Sequence, residues 1–149
     1  TDKMKERVPN VALSTDIIIG FPTETYDEFL DTKNVCEYVK FDHAYIFKYS
    51  ERPNTRAALK FPDDIPAEEK TKRITELVQI QKSHSLVKNQ RWVGQTQRIL
   101  VERIENEQAI GRNDANVLTY TKDINNKLGD YITVNSDSAS PHGLKASRV

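Results

Sequence analysis

The chain has 149 residues, 37% of them hydrophobic, which is enough for one ordinary domain or two small ones with a real apolar core. Its 22 basic and 22 acidic residues cancel, so no global positive field draws it to nucleic acid and any such contact must be local. The single cysteine, Cys36, excludes an internal disulfide and any multi-cysteine metal or iron–sulfur site built from this chain alone.

Residues 1–10 lack the apolar core of a signal peptide, and no later run approaches the roughly 20 apolar residues of a membrane span. The expectation is a cytoplasmic protein with no membrane partner. Residues 11–20, VALSTDIIIG, form a short apolar, β-branched run followed by Phe21-Pro22, and predict a buried parallel strand ending in a loop. A helix follows. Thr25 and Glu28 have capping-box spacing, and Tyr26, Phe29, Leu30, Cys36 and Val39 fall mostly on one face.

A second strand is predicted over residues 43–49, HAYIFKY, and residues 50–64, with Pro53, Asn54 and Pro62, predict an ordered loop without a regular element. Pro66 then opens a long helix whose face is marked by Ile74, Leu77, Val78, Gln81 and Ser85 or Leu86. Running to Trp92, it would span about 40 Å. Strand, helix, strand, loop and long helix make an α/β order.

The character changes at Gly94. Short β-rich runs follow at 96–104, 108–113, 116–120, 130–135 and 143–147, separated by Asn113-Asp114, Asn125-Asn126 and Gly129-Asp130. They predict a small closed five-stranded β-barrel, because closure removes exposed sheet edges. The predicted division is therefore an α/β domain over residues 1–93 and an all-β domain over 94–149. Two parallel strands alone leave each other's outer edges open. The first part is thus expected to be a piece of a larger sheet, or to self-associate through that edge.

Two segments carry chemistry. STDIIIGFPTET places Gly20 and a proline-shaped turn between a strand end and a helix start, where backbone approaches a ligand closely and N–H groups are available; a plain strand-to-helix turn has the same look. FDHAYIFKYSERPNT places polar residues past another strand end, and Arg52 offers a fork for carboxylate or phosphate, or an ordinary surface salt bridge. Cys36 sits among the apolar positions of a helix and reads as a core residue. His43, His84 and His142 have neither i,i+4 pairing nor a neighbouring cysteine, and read as structural rather than metal-binding.

In this order, STDIIIGFPTET, FDHAYIFKYSERPNT and IPAEEKTKRITELVQIQ resemble the last strands of the barrel in MiaB-type radical-SAM tRNA methylthiotransferases, over about two thirds of the chain. The remaining third, with QRILVERI, GRNDANVLTY, LGDYITV and SASPHGLKASRV, resembles the TRAM domain that follows. The resemblance implies the C-terminal part of a partial TIM-type barrel plus a five-stranded TRAM barrel. It implies S-adenosylmethionine contacts at Ile18, Gly20, Glu24, Phe47, Tyr49 and Arg52. Two departures from the family pattern are Glu51 and Asn54, which stand where proline and glycine are usual; Asn tolerates left-handed backbone, so the turn survives. A third is a shortened basic linker around residues 105–108.

The implied parent enzyme methylthiolates an isopentenylated adenosine beside the tRNA anticodon, using S-adenosylmethionine and two 4Fe-4S clusters. The cluster cysteines are absent from this chain, so it is expected to need the N-terminal half of the enzyme and to be inactive alone. The barrel is expected to grip tRNA through Arg98, Arg103, Arg112, Lys122, Lys127, Lys145 and Arg148, with Tyr120 or Tyr131 to stack on a base. Seven acidic residues balance these seven basic ones from Gly94 onward, so a solvated neutral face is the competing reading.

Rival assignments are a ribosomal-protein methylthiotransferase, which typically has an acidic residue in place of Arg52, and a threonylcarbamoyl-adenosine methylthiotransferase, which shares the arginine. A non-catalytic RNA-binding module would instead fold completely by itself, with no open edge.

Overall fold

The computed structural model describes residues 1–8, 10–122 and 126–149. They form α1 (Asp2–Arg7), β1 (Ser14–Ile19), α2 (Tyr26–Val39), β2 (His43–Lys48), α3 (Arg56–Lys60), α4 (Ala67–Gln90), β3 (Thr96–Glu105), β4 (Gln108–Asn113), β5 (Leu118–Thr121), β6 (Tyr131–Ser140) and β7 (Gly143–Arg148). Residues 13–81 pack as one compact unit, and residues 1–12 with 82–149 as another.

In the first unit β1 and β2 pair in parallel, with Ile17 opposite Ile46 and Ile18 opposite Phe47. Alternation along a strand sends successive side chains to opposite faces. One face carries Ile17, Ile19 and Ile46 into a core with Phe29, Cys36, Phe41 and Leu77. The other carries Ile18, Tyr45 and Phe47, each more than half exposed. Among the described residues neither strand has a second neighbour.

Helix α2 starts where its capping box predicts. The Thr25 hydroxyl accepts from the Glu28 amide, and the Glu28 carboxylate accepts from the Thr25 amide at 2.7 Å. The Thr25 backbone and hydroxyl bonds hold the Glu28 carboxyl below its usual range. Of the predicted apolar face, Phe29, Cys36 and Val39 are buried, whereas Tyr26 is half exposed. Cys36 is a core residue, and burial raises its thiol pKa.

The segment expected to be irregular holds a helix, α3. Thr55 caps it, its hydroxyl accepting from the Ala58 amide, and the Ala-Ala-Leu-Lys stretch that follows is made of strong helix formers. Helix α4 begins at Ala67, one residue past Pro66, and ends two residues before Trp92. Its buried stripe is more polar than the apolar face foreseen: Lys70, Arg73, Gln81, Ser85 and Asn89 accompany Leu77.

The second unit contains the closed barrel, in the order β3-β4-β5-β7-β6, with β5 and β7 parallel and the other pairs antiparallel. Ile99, Val101, Ala109, Ile132, Val134 and Ala146 fill it. Gly111 belongs to the closure: a β-carbon there would stand 2.2 Å from the Leu100 carbonyl oxygen.

At one end of the barrel the inward positions turn polar. Gln97 donates to the Ser136 hydroxyl at 2.5 Å, Asn113 donates to Gln97, and the Asn113 side-chain oxygen accepts from the Ala115 and Val117 amides at 3.0 and 2.9 Å. This network ties β3, β4 and β6 together, each buried group satisfied by another. β6 runs to Ser140, five residues past the predicted end, because Ser136 can point inward against Gln97. β5 starts at Leu118 rather than 116, since Asn116 has φ 61°, outside the strand region. Of the predicted Asn125-Asn126 turn, Asn125 lies outside the described residues.

Candidate functional site

The parallel pairing sets the C-terminal ends of β1 and β2 side by side. Ile18 faces Phe47, and the Tyr49 amide donates to the Ile19 carbonyl at 2.8 Å, extending the register past the strand. Beyond these ends lies a cavity of about 380 Å³ whose lining includes Ile18, Phe47, Tyr49, Ser50, Arg52 and Thr55. Ile18, Phe47, Tyr49 and Arg52, four of the six residues expected to meet a cofactor, are thus brought together.

The Arg52 carbonyl accepts from the Thr55 hydroxyl at 2.8 Å, and Asn54 takes the left-handed backbone, φ 66°, that the turn requires. The Arg52 guanidinium has no ion-pair partner among the described residues. An apolar slot at strand ends, with one planar cation at its rim, suits a ligand that combines a flat ring with a carboxylate or phosphate.

Gly20 and Glu24 are absent from this lining and serve the packing beside it. The Gly20 amide, expected to be available to a ligand, donates to the Glu24 carboxylate at 2.8 Å. The same carboxylate accepts from Arg73 Nη1 at 2.7 Å, while Arg73 Nε donates to Glu69 at 2.9 Å. Burial alone would lower the Arg73 pKa, but the hydrogen bonds to Glu69 and Glu24 outweigh it and raise the value. Gly20 has φ 71°, and a β-carbon there would lie 2.5 Å from Lys70 Cγ. The glycine therefore makes room for the buried stem of Lys70, whose ammonium meets Asp63 at 2.6 Å and lies 5.3 Å from the Tyr49 ring centre.

Lys70, Arg73, Glu69 and Asp63 were not foreseen as parts of this corner. For Lys70 and Arg73 the signal was the 70, 73, 77, 81 spacing on one helix face, which an apolar-only reading of the helix passes over.

The barrel cations fall into two groups. Arg98, Arg103 and Arg112 lie near Asp114 at 4.0 Å, Glu105 at 3.5 Å and Glu102 at 3.3 Å, and Arg98 also covers the Tyr131 ring at 4.8 Å. Lys122, Lys145 and Arg148 instead line a groove with Tyr120. Lys127 stands outside both groups, in the turn that Asp130 closes by accepting from its amide. Among the described residues no cluster of His, Cys, Asp or Glu could hold a metal ion, and no helix is long and apolar enough to cross a membrane.

No family model matches the sequence. Curated relatives do. The chain is 41% identical over 136 residues to the tRNA-2-methylthio-N(6)-dimethylallyladenosine synthase of Christiangramia forsetii, covering 89% of this chain and 28% of that protein. Synthases of the same name from Sulfurihydrogenibium sp. and Aquifex aeolicus are 39% and 37% identical over 98% and 97% of the chain, and over 33% and 32% of their own lengths. The chain therefore spans about a third of the length of the curated relatives it matches. The resemblance read from STDIIIGFPTET and FDHAYIFKYSERPNT is borne out by these relatives.

Proposed function

We infer that the chain is the C-terminal portion of a radical-SAM transferase that methylthiolates isopentenylated adenosine beside the tRNA anticodon in the cytoplasm. The observation that carries this reading is the likeness to synthases of that name over nearly the whole chain. The bare face of the two-stranded sheet supports it, because a sheet with helices on one side and half-exposed Ile18, Tyr45 and Phe47 on the other suits a segment of a larger barrel. The N-terminal part of the enzyme would cover that face; without it, the open edge is a site for self-association.

The cavity at the strand ends fits S-adenosylmethionine in chemistry and, at about 380 Å³, falls in the range of small-molecule sites. Ile18, Phe47 and Tyr49 would hold its adenine, and Arg52 its carboxylate or the RNA backbone. When bound, that group supplies the radical that activates an unreactive C–H bond. This chain's residues orient the cofactor and exclude water from one side of it. Gly20 and Glu24 act one layer back, fixing the turn through Arg73. The 4Fe-4S clusters do not fit here: the chain's one cysteine is buried in a helix core, so the cluster ligands belong to the rest of the enzyme.

The barrel would hold the tRNA. A gel-shift titration of the chain against isopentenylated tRNA lacking the methylthio group, and against an unrelated hairpin at two salt concentrations, tests this. The expected result is salt-sensitive binding with preference for the tRNA; equal, weak retention of both RNAs counts against it.

A further inference from the structure

Resting on the reading of the barrel as an RNA-binding module, we propose that its grip is the groove over β5 and β7. Lys122 and Lys145 hold the phosphates of an unpaired RNA stretch there, and Tyr120 stacks on one of its bases. Arg98, Arg103 and Arg112 take no part.

The groove has a volume of about 540 Å³. Tyr120 and Lys145 stand directly opposite each other in the parallel β5–β7 pair. Because Thr119, Thr121, Leu144 and Ala146 are buried, alternation turns Tyr120 and Lys145 to the outside together. Lys122 follows at the end of β5, and Arg148 closes the far end, its Nη1 lying 3.5 Å from Asn126 Oδ1. Neither Lys122 nor Lys145 has an ion-pair partner among the described residues. Asp137 is the only carboxylate lining the groove among those residues, and it already accepts from the Ser147 hydroxyl at 2.7 Å. Among the described lining residues the two lysines outnumber the one carboxylate, and they lie beside an aromatic ring.

The arginines lie in a different electrostatic setting. Each has a carboxylate within 4.0 Å of its guanidinium. Exposed pairs of this kind are weak, so pairing alone does not immobilise the arginine. The carboxylate, however, repels an arriving phosphate at close range, and Arg98 covers the ring of Tyr131, the other aromatic available for stacking. The groove also specifies the form of RNA. Bases inside a duplex are stacked on one another, so a tyrosine beside two lysines selects a loop or a bulge.

The test uses the whole chain and a gel-shift titration at two salt concentrations, with a tRNA anticodon stem-loop and a fully paired duplex of matched length. The double variant Lys122→Ala/Lys145→Ala should bind the stem-loop about tenfold more weakly and lower the salt slope by about 1.5 units. Tyr120→Leu should lose about tenfold on the stem-loop and little on the duplex, while Tyr120→Phe, which keeps the ring, should bind like the parent. Arg98→Ala/Arg103→Ala should change affinity less than about twofold. Circular dichroism melts check that each variant is folded.

If the parent chain binds and the arginine variant loses as much as the lysine variant, the groove assignment is wrong while the RNA-binding reading stands. Failure of the parent chain to bind either RNA overturns both. Loss of binding in Lys122→Arg/Lys145→Arg, which retains the charge, also overturns the proposal.

Discussion

The two sheets of this molecule solve the edge problem in opposite ways. In the barrel each strand has a neighbour on both sides, the apolar residues meet inside, and the polar inward positions Gln97, Asn113 and Ser136 satisfy one another. In the α/β unit the two strands of the sheet have one neighbour each among the described residues, and one face is covered while the other shows Ile18, Tyr45 and Phe47. A closed sheet is complete from local hydrogen bonding; an open one is complete only with something added. On the functions proposed above, the difference separates a module that would hold a ligand on its outside from one that would hold a ligand where its strands end.

The largest test of this contrast is Phe29→Ala. Phe29 is fully buried under the covered face, and its loss should cost about 3–5 kcal/mol, read as weakened amide protection in α2 and β1. A smaller loss would mean that the covered face is loosely packed even where the helices lie on it. On the barrel side, Gly111→Ala puts a β-carbon against the Leu100 carbonyl and should cost about 1–3 kcal/mol in denaturant unfolding. A neutral result would show that the β3–β4 ladder yields more than a closed barrel should.

Glu24→Gln sharpens the comparison at the strand ends. Arg73 keeps Glu69 but loses one charged partner in a buried setting, so a loss of about 1–3 kcal/mol is expected in thermal melts, with S-adenosylmethionine affinity of the reassembled enzyme falling only as the turn loosens. A large affinity loss at unchanged stability would make Glu24 a direct cofactor contact.

The smallest effect on stability belongs to the bare face. Phe47→Asp should change stability by no more than about 0.5 kcal/mol, because the side chain is already more than half exposed, yet it should reduce self-association in sedimentation velocity. A parent chain that stays monomeric at high concentration overturns the self-association expected of the open edge.

Most of the elements could be read from local signals. The Thr25–Glu28 box placed a helix start, β-branched alternation located the barrel strands, and Pro66 stood within one residue of a helix start. Helix α3 was missed because two prolines and an asparagine outweighed a five-residue helix whose cap is a single threonine. The motif residues Ile18, Phe47, Tyr49 and Arg52 were legible as a group because strand ends in a parallel pair lie side by side.

Sequence alone thus determined β1, α2, β2, α4 and the five barrel strands in their order, though not α1 or α3, and the family likeness, since each depends on neighbours along the chain or on ordered motifs. Only the tertiary structure decided that Gly20 makes room for Lys70, that Glu24 answers to Arg73 and that three barrel arginines are ion-paired while Lys122 and Lys145 have no ion-pair partner among the described residues. Charge and packing act between residues far apart in the chain, and their partners are not set until the backbone brings them within a few ångströms.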